Sequence, residues 1–126
     1  MKSVILTKYG APEVLKVKEL DNIQPKDSEV RVKVHYAGIN FAEIMARMKL
    51  YPGGPKPGSV LGGEVSGVID KLGKDVQDLS IGEEVMGLSL NGSYSSQVCI
   101  DADSIIKLPE NFKLDEAAAF PVTYIT

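Results

Sequence analysis

A seven-residue alternation of apolar and polar side chains constrains the fold of this chain more than any other feature. Between positions 30 and 36, Val, Val, Val and Tyr alternate with Arg, Lys and His. Successive side chains of a β-strand point to opposite faces of the sheet, so this pattern predicts a strand with one buried face. It also places His35, which is the one histidine of the sequence, on the polar face.

Six further segments have the length and composition of short strands. They cover residues 4–6, 15–20, 64–71, 83–88, 93–100 and 104–108. Clusters of Gly, Asp, Asn and Pro separate them, as at Gly73-Lys74-Asp75 and at Asn91-Gly92. Many short strands at this spacing predict a mainly β barrel or sandwich.

Two short helices interrupt the strands. Asn40 precedes a run of good helix formers at 41–48, and Glu43 follows three residues later, which predicts a capping box. Asp115 similarly predicts the start of a second helix, which Pro121 ends or bends. The segment 51–58 is rich in Pro and Gly and is therefore expected to form a surface loop.

Composition excludes several classes of function. The 126 residues are 44% hydrophobic and 25% charged, as expected for one globular domain. The chain has 14 Lys and Arg and 17 Asp and Glu, so it lacks the excess of positive charge that binding to nucleic acid or to an anionic membrane requires. The apolar start of the chain ends at Thr7-Lys8, too early for a signal sequence, and no later run could span a bilayer. We therefore expect a cytoplasmic protein without a membrane span.

The reactive side chains point away from metal and nucleophilic chemistry. One cysteine and one histidine exclude a disulfide framework and leave too few ligands for zinc. Cys99 lies in a strand-like segment, so a buried, inert thiol is favoured over a nucleophile. The glycines at 62, 63 and 67 lack the strand-to-helix context of a dinucleotide fingerprint. For Glu64, a structural carboxylate at the start of a strand is favoured, and a catalytic role stays open.

Seven segments of the chain occur in the order typical of one superfamily. They are YGAPEVL (9–15), AGINF (37–41), LY (50–51), LGGEVSGVI (61–69), GEEV (82–85), GSYSS (92–96) and DEAAA (115–119). In this combination the chain resembles the medium-chain dehydrogenase/reductase superfamily over essentially its whole length. Its last ten residues are most similar to the synaptic vesicle membrane protein subgroup.

Two positions separate this chain from the zinc-dependent members of that superfamily. Those members carry a zinc-binding Cys after the Gly-Ile pair and a His before the Glu of the second motif, where this chain has Asn40 and Gly63. The chain therefore resembles the zinc-free quinone oxidoreductase branch, which includes zeta-crystallin. The resemblance implies that no metal is bound.

The resemblance also implies an architecture. Residues 1–126 are expected to form a mainly β, GroES-like catalytic domain, a partly open β-barrel with two or three short helices. In complete enzymes this domain packs against a Rossmann NADP-binding domain, which is absent from this chain. The chain is then the N-terminal part of a longer oxidoreductase that is expected to be a homodimer.

By the same resemblance, Asn40, Tyr51 and Thr126 approach the nicotinamide end of NADPH, and no residue is assigned a catalytic role. Met45 stands where some quinone reductases have a second tyrosine. The parent protein is expected to reduce a quinone or an α,β-unsaturated carbonyl by hydride transfer from NADPH, and the isolated chain is expected to be inactive. The alternative is a non-enzymatic barrel that serves as an interaction or structural module.

Overall fold

The computed structural model describes residues 1–125, in which seven strands and three short helices follow one another. The strands are β1 (Lys2–Leu6), β2 (Leu15–Glu19), β3 (Glu29–Ala37), β4 (Glu64–Leu72), β5 (Glu84–Leu88), β6 (Gln97–Asp101) and β7 (Ile105–Lys107). The helices are α1 (Phe41–Arg47), α2 (Leu114–Ala118) and α3 (Pro121–Ile125), and single 3₁₀ turns occur at Pro12–Val14 and Ala102–Ser104.

Five of the strands form one antiparallel sheet in the order β6-β3-β4-β5-β7. The first two strands pair as a separate antiparallel ribbon. Bridges from Ser3 to Ser95 and from Ile5 to Val60 connect this ribbon to the segments that precede β6 and β4. The larger sheet curls into a half-barrel, which confirms the expected mainly β, GroES-like fold with short helices.

The alternation in β3 buries the residues that the sequence pattern predicts. Val30 and Val32 are fully buried, whereas His35 is exposed as expected. Between Val34 and Tyr36 the pairing with β4 shifts register, and Tyr36 is half exposed because the alternation ends at this irregularity. The main core consists of Val30, Val32, Val65, Ile69, Val85, Val98 and Ile100.

The C-terminal helices close one side of the sheet, with boundaries that differ from the sequence-based prediction. The helix α2 begins at Leu114 with Lys113 at the N-cap position, whereas Asp115 was expected to cap it. The Asp115 carboxylate instead accepts a hydrogen bond from the neighbouring Glu116 N–H at 2.9 Å. Ala117 and Ala118 are buried, and small side chains there let α2 lie close to the sheet.

The strand β6 is shorter than the sequence predicts, and Pro121 lies where a helix boundary was expected. The predicted strand 93–100 is shorter, because residues 93–96 form a connecting segment whose Tyr94 carbonyl accepts from the Val4 N–H at 2.8 Å. Pro121 separates α2 from α3 and begins the latter. Within residues 1–125, no helix combines the length and apolar character that crossing a bilayer requires.

Candidate functional site

The centre of the site is a buried carboxylate at the start of β4. The side chain of Glu64 is almost fully buried, with 2% of the residue exposed. Its Oε1 accepts a hydrogen bond from Asn40 Nδ2 at 2.8 Å, and its Oε2 accepts one from the backbone N–H of Val122 at 2.8 Å. One carboxylate therefore joins the start of α1, the start of β4 and the first turn of α3. This assigns Glu64 the structural role that the sequence favoured.

Gly38 makes room for that carboxylate. A Cβ atom at Gly38 would lie 2.0 Å from Glu64 Oε1, far inside any permitted contact. The Gly38 backbone N–H also donates to the Glu64 carbonyl oxygen at 3.1 Å. The Gly-Ile-Asn motif thus uses its glycine to bring the chain against Glu64, so that Asn40 arrives within hydrogen-bonding distance.

Asn40 occupies the N-cap position of α1, as predicted. Its backbone is extended, with φ −121° and ψ 160°, and it has the capping-box arrangement with Glu43. The well-formed bond of that box runs from the Asn40 backbone N–H to Glu43 Oε2 at 2.6 Å. The Asn40 side-chain oxygen faces the Glu43 backbone N–H in that box without a hydrogen bond of standard geometry, while its Nδ2 donates to Glu64. Its second amide N–H is the group left for another partner.

A cavity of about 440 Å³ opens beside α1. Its wall combines residues of α1, of the Pro- and Gly-rich loop and of the segment after β5: Ala42, Glu43, Ala46, Tyr51, Gly53, Gly54, Pro55, Leu61, Leu90 and Asn91. Tyr51 is about half exposed, at 48%, and stands in this wall together with Glu43. The volume is within the range of small-molecule sites.

The cavity wall perturbs the protonation of Glu43. Burial raises the pKa of its carboxyl, and the nearby negative charge of Glu64 raises it further, while the hydrogen bond from the Asn40 N–H opposes both effects. The Tyr94 hydroxyl lies beside Glu43 and is buried without a hydrogen bond of standard geometry. Burial, followed by the charge of Glu43, raises the pKa of Tyr94, so its hydroxyl stays protonated.

Of the three residues expected to contact the cofactor, Tyr51 lines the cavity, whereas Asn40 is not among the lining residues. Asn40 is connected to the cavity wall through the hydrogen bond from its backbone N–H to Glu43. Thr126 lies outside the described residues. Sequence reasoning did not assign Glu43 or Tyr94 to the site. The capping-box spacing identified Glu43 as a helix residue but carried no signal that its side chain faces a cavity.

Cys99 and Ser93 of the GSYSS segment lie outside the cavity wall. Cys99 is half-buried on β6, and burial raises the pKa of its thiol to about 11, which agrees with an inert cysteine. Ser93 is buried, and its Oγ lies 2.8 Å from that of Ser89. Among residues 1–125, no group of three or more His, Cys, Asp or Glu side chains is arranged to hold a metal ion.

Residues 26–110, which include β3 to β7 and the Asn40–Glu64 pair, match the family described as the alcohol dehydrogenase GroES-like domain. The chain belongs to this family. The GroES-like domain also has the expected relatives. It is 37% identical over 127 residues to the synaptic vesicle membrane protein VAT-1 homolog of Danio rerio, and 36% identical over 113 residues to the quinone oxidoreductase of Salmonella typhimurium. These alignments cover 99% and 89% of this chain, but 26% and 34% of the relatives.

Solved structures give the same grouping. The human VAT-1 homolog-like protein superposes with a TM-score of 0.96 at 30% identity, covering 99% of this chain and 40% of that one. The Escherichia coli quinone oxidoreductase complexed with NADPH gives 0.89 at 34% identity, covering 94% and 36%. These matches confirm that the chain belongs to the medium-chain dehydrogenase/reductase superfamily. They also confirm that its relatives there include quinone oxidoreductases and synaptic vesicle membrane protein homologs. The GroES-like domain spans about a quarter to two fifths of their length.

Proposed function

We propose that the protein to which this GroES-like domain belongs reduces a quinone or an α,β-unsaturated carbonyl with NADPH and without a metal. The observation that carries the proposal is the arrangement around Asn40: Glu64 holds its side-chain amide, and its backbone N–H is hydrogen-bonded to Glu43, which lines a cavity together with Tyr51. A relative with 34% identity is a quinone oxidoreductase whose structure contains NADPH.

The residues present fit a nicotinamide ring. Asn40 keeps one amide N–H besides the one that it donates to Glu64, and Tyr51 is half exposed, so both offer neutral hydrogen-bonding groups. The neighbouring apolar side chains of Ile39 and Phe41 are 77% and 71% exposed, a surface suited to covering a flat ring. NADPH, when bound, supplies the hydride. The role of Asn40 and Tyr51 is to orient the reacting groups without competing for it.

Zinc is not required in this scheme. The two positions that carry zinc ligands in the zinc-dependent members are occupied by Asn40 and Gly63, and neither side chain is a strong zinc ligand. Polarisation of the substrate carbonyl then relies on neutral hydrogen-bond donors. A proton from solvent or from the cavity wall completes the two-electron reduction, so that a quinone becomes a hydroquinone and an enone becomes a saturated ketone.

The test uses the full-length parent protein. We expect it to oxidise NADPH in the presence of a quinone or an enone, to prefer NADPH over NADH and to contain no stoichiometric zinc by elemental analysis. The 126-residue chain alone is expected neither to bind NADPH appreciably in calorimetry nor to oxidise it. One tightly bound zinc per chain, or full NADPH affinity in the isolated chain, would contradict the proposal. Sedimentation and fractionation would check the homodimer and the cytoplasmic location that we propose for the parent.

A second candidate is a binding module that performs no reaction. The observation that favours it is the exposure of large apolar side chains, since Leu90 of the cavity wall is 97% exposed and Phe41 at the start of α1 is 71% exposed. A parent protein that neither binds NADPH nor reduces any tested quinone or enone would favour this module over the enzyme.

A further inference from the structure

Glu43 is the one carboxylate in the wall of the 440 Å³ cavity, and the other nine lining residues are uncharged. Most of them are small or apolar, as expected for a site that takes an organic ring. The single charge of the wall is therefore negative, in a setting where charge acts more strongly than in water.

The carboxylate of Glu43 is held in place by the Asn40 backbone and lies beside the Tyr94 hydroxyl. Its Oε2 accepts from the Asn40 backbone N–H at 2.6 Å. Its Oε1 lies 3.5 Å from the point where a Cβ of Gly63 would be, so the glycine leaves space around this oxygen. The hydrogen bond fixes Glu43 as a permanent part of the wall.

No cation of the described wall compensates this charge. Arg47, on the same helix, donates from Nη1 to the Gly10 carbonyl oxygen at 2.6 Å. Lys49 lies 5.5 Å from the centre of the Tyr9 ring. Neither is among the residues lining the cavity. The other charged group facing Glu43 is Glu64, which adds to the negative potential, and the Tyr94 hydroxyl beside it stays neutral.

We propose that Glu43 makes this cavity selective for uncharged quinones and enones and excludes anionic ones. The inference rests on the function proposed above and assigns the substrate class of the same site. Two like charges several Å apart, at the effective dielectric constant of a protein surface, disfavour binding by about 10–100-fold. Glu43 is thereby a specificity-determining residue.

The experiment compares three ring substrates on the full-length parent with NADPH: a naphthoquinone, its sulfonate and its sulfonamide. The sulfonamide has nearly the size of the sulfonate but no charge, so it separates charge from bulk. The wild-type protein is expected to show a kcat/KM for the sulfonamide about 10–100-fold above that for the sulfonate. In Glu43→Gln this ratio should fall to within about threefold of one, because the amide retains the capping acceptor but loses the charge.

Two further variants keep the test decisive. Asn91→Lys adds a positive charge to the same wall without touching the capping box, and it should lower the ratio like Glu43→Gln. Glu110→Gln removes an exposed carboxylate outside the wall, and it should leave the ratio unchanged. A purely structural role of Glu43 would reduce turnover of all three substrates equally and leave the ratio unaltered.

Binding measurements distinguish failure of this inference from failure of the proposed function. Calorimetric dissociation constants of the sulfonate and sulfonamide should show the same ratio even if no turnover is found. Absence of NADPH oxidation with every substrate would refute the proposed enzyme only. An equal affinity for sulfonate and sulfonamide in the wild type, or an unchanged ratio in Glu43→Gln and Asn91→Lys, would overturn the selectivity role of Glu43.

Discussion

The side-chain amide of Asn40 donates a hydrogen bond to the buried carboxylate of Glu64, with 2.8 Å between Nδ2 and Oε1. A buried carboxylate is stable only when its oxygens are hydrogen-bonded, and the second oxygen is satisfied by the Val122 N–H. The pair fixes which end of the Asn40 amide faces inward. Its oxygen is therefore directed toward the first turn of α1, where the capping box places it against the Glu43 backbone N–H.

Exchanging donor and acceptor between these two residues tests that relationship. Asn40→Asp alone places two carboxylates next to each other. Glu64→Gln alone introduces an amide N–H that must face one of the two donors that Glu64 now accepts from, the Asn40 amide or the Val122 N–H. Each single variant is expected to lower the free energy of unfolding by about 1–3 kcal/mol. The double variant restores one donor and one acceptor, so it should recover at least about 1 kcal/mol relative to the sum of the singles.

Urea denaturation of the four proteins gives this coupling energy directly. Asn40→Ala is the control because it removes both the donor and the acceptor. Adding Glu64→Gln to Asn40→Ala should recover none of the lost free energy of unfolding. Strictly additive effects of Asn40→Asp and Glu64→Gln would show that the hydrogen bond does not hold the pair together.

The perturbed protonation of Glu43 predicts a pH-dependent difference in stability. Burial and the charge of Glu64 raise its pKa above the ordinary value of 4.5 in the folded state. The folded protein then binds the proton more tightly than the unfolded chain does, so stability falls as pH rises from 4.5 through the folded pKa. Glu43→Gln does not titrate. Its stability relative to the wild type should therefore rise from pH 4.5 up to the folded pKa of Glu43 and stay level above it, as measured by urea unfolding at each pH.

A constant difference between the two proteins over this range would mean that Glu43 has the same pKa in both states. A relative loss of stability by Glu43→Gln with rising pH would mean that the charged form is favoured in the fold. The capping acceptor is retained in both proteins, so it does not produce the slope.

Side-chain patterns predicted strands of the sheet because the alternation of apolar and polar residues along one strand can be recognised within a short stretch of sequence. The alternation at Val30 and Val32 identified β3 and its buried face correctly. The alternation of buried and exposed residues ends at the register shift before Tyr36. The sequence pattern did not predict this end, because the shift depends on pairing with β4. Similarly, Asp115 is a good capping residue by type, but packing of Ala117 and Ala118 against the sheet sets where α2 begins.

The site was predictable in part for the same reason. The spacing of Asn40 and Glu43 carries the capping box, because both residues belong to one turn of helix. The bond between Asn40 and Glu64 joins residues 24 positions apart, and only the fold brings them together. The placement of Tyr94 beside Glu43 likewise arises from the path of the segment after β5, to which no local pattern points.

The raised pKa of Cys99 predicts a slow reaction with thiol reagents. Burial, with a further contribution from the charge of Glu29, raises the pKa of the thiol from 9.0 to about 11. Near pH 8 the thiolate fraction is then about one hundredth of that of an unperturbed cysteine, and the reaction with a disulfide reagent should be slower by about the same factor. The control is the same chain in denaturant. Equal rates in the folded and unfolded protein would show that Cys99 is accessible and unperturbed.

Two glycines of the site differ in how much space surrounds them, and this difference gives a matched pair of variants. In Gly38→Ala the new methyl group would lie 2.0 Å from Glu64 Oε1, so the buried carboxylate must move away from Asn40. Overpacking of this kind costs about 1–3 kcal/mol. In Gly63→Ala the nearest atoms are Glu43 Oε1 at 3.5 Å and the Ser89 carbonyl oxygen at 3.6 Å, which are ordinary contacts, so the change should stay within about 0.5 kcal/mol. Urea unfolding of both variants measures the difference. If Gly38→Ala is as stable as Gly63→Ala, the close approach of the chain to Glu64 does not determine the position of Asn40, and the site must tolerate a shifted carboxylate.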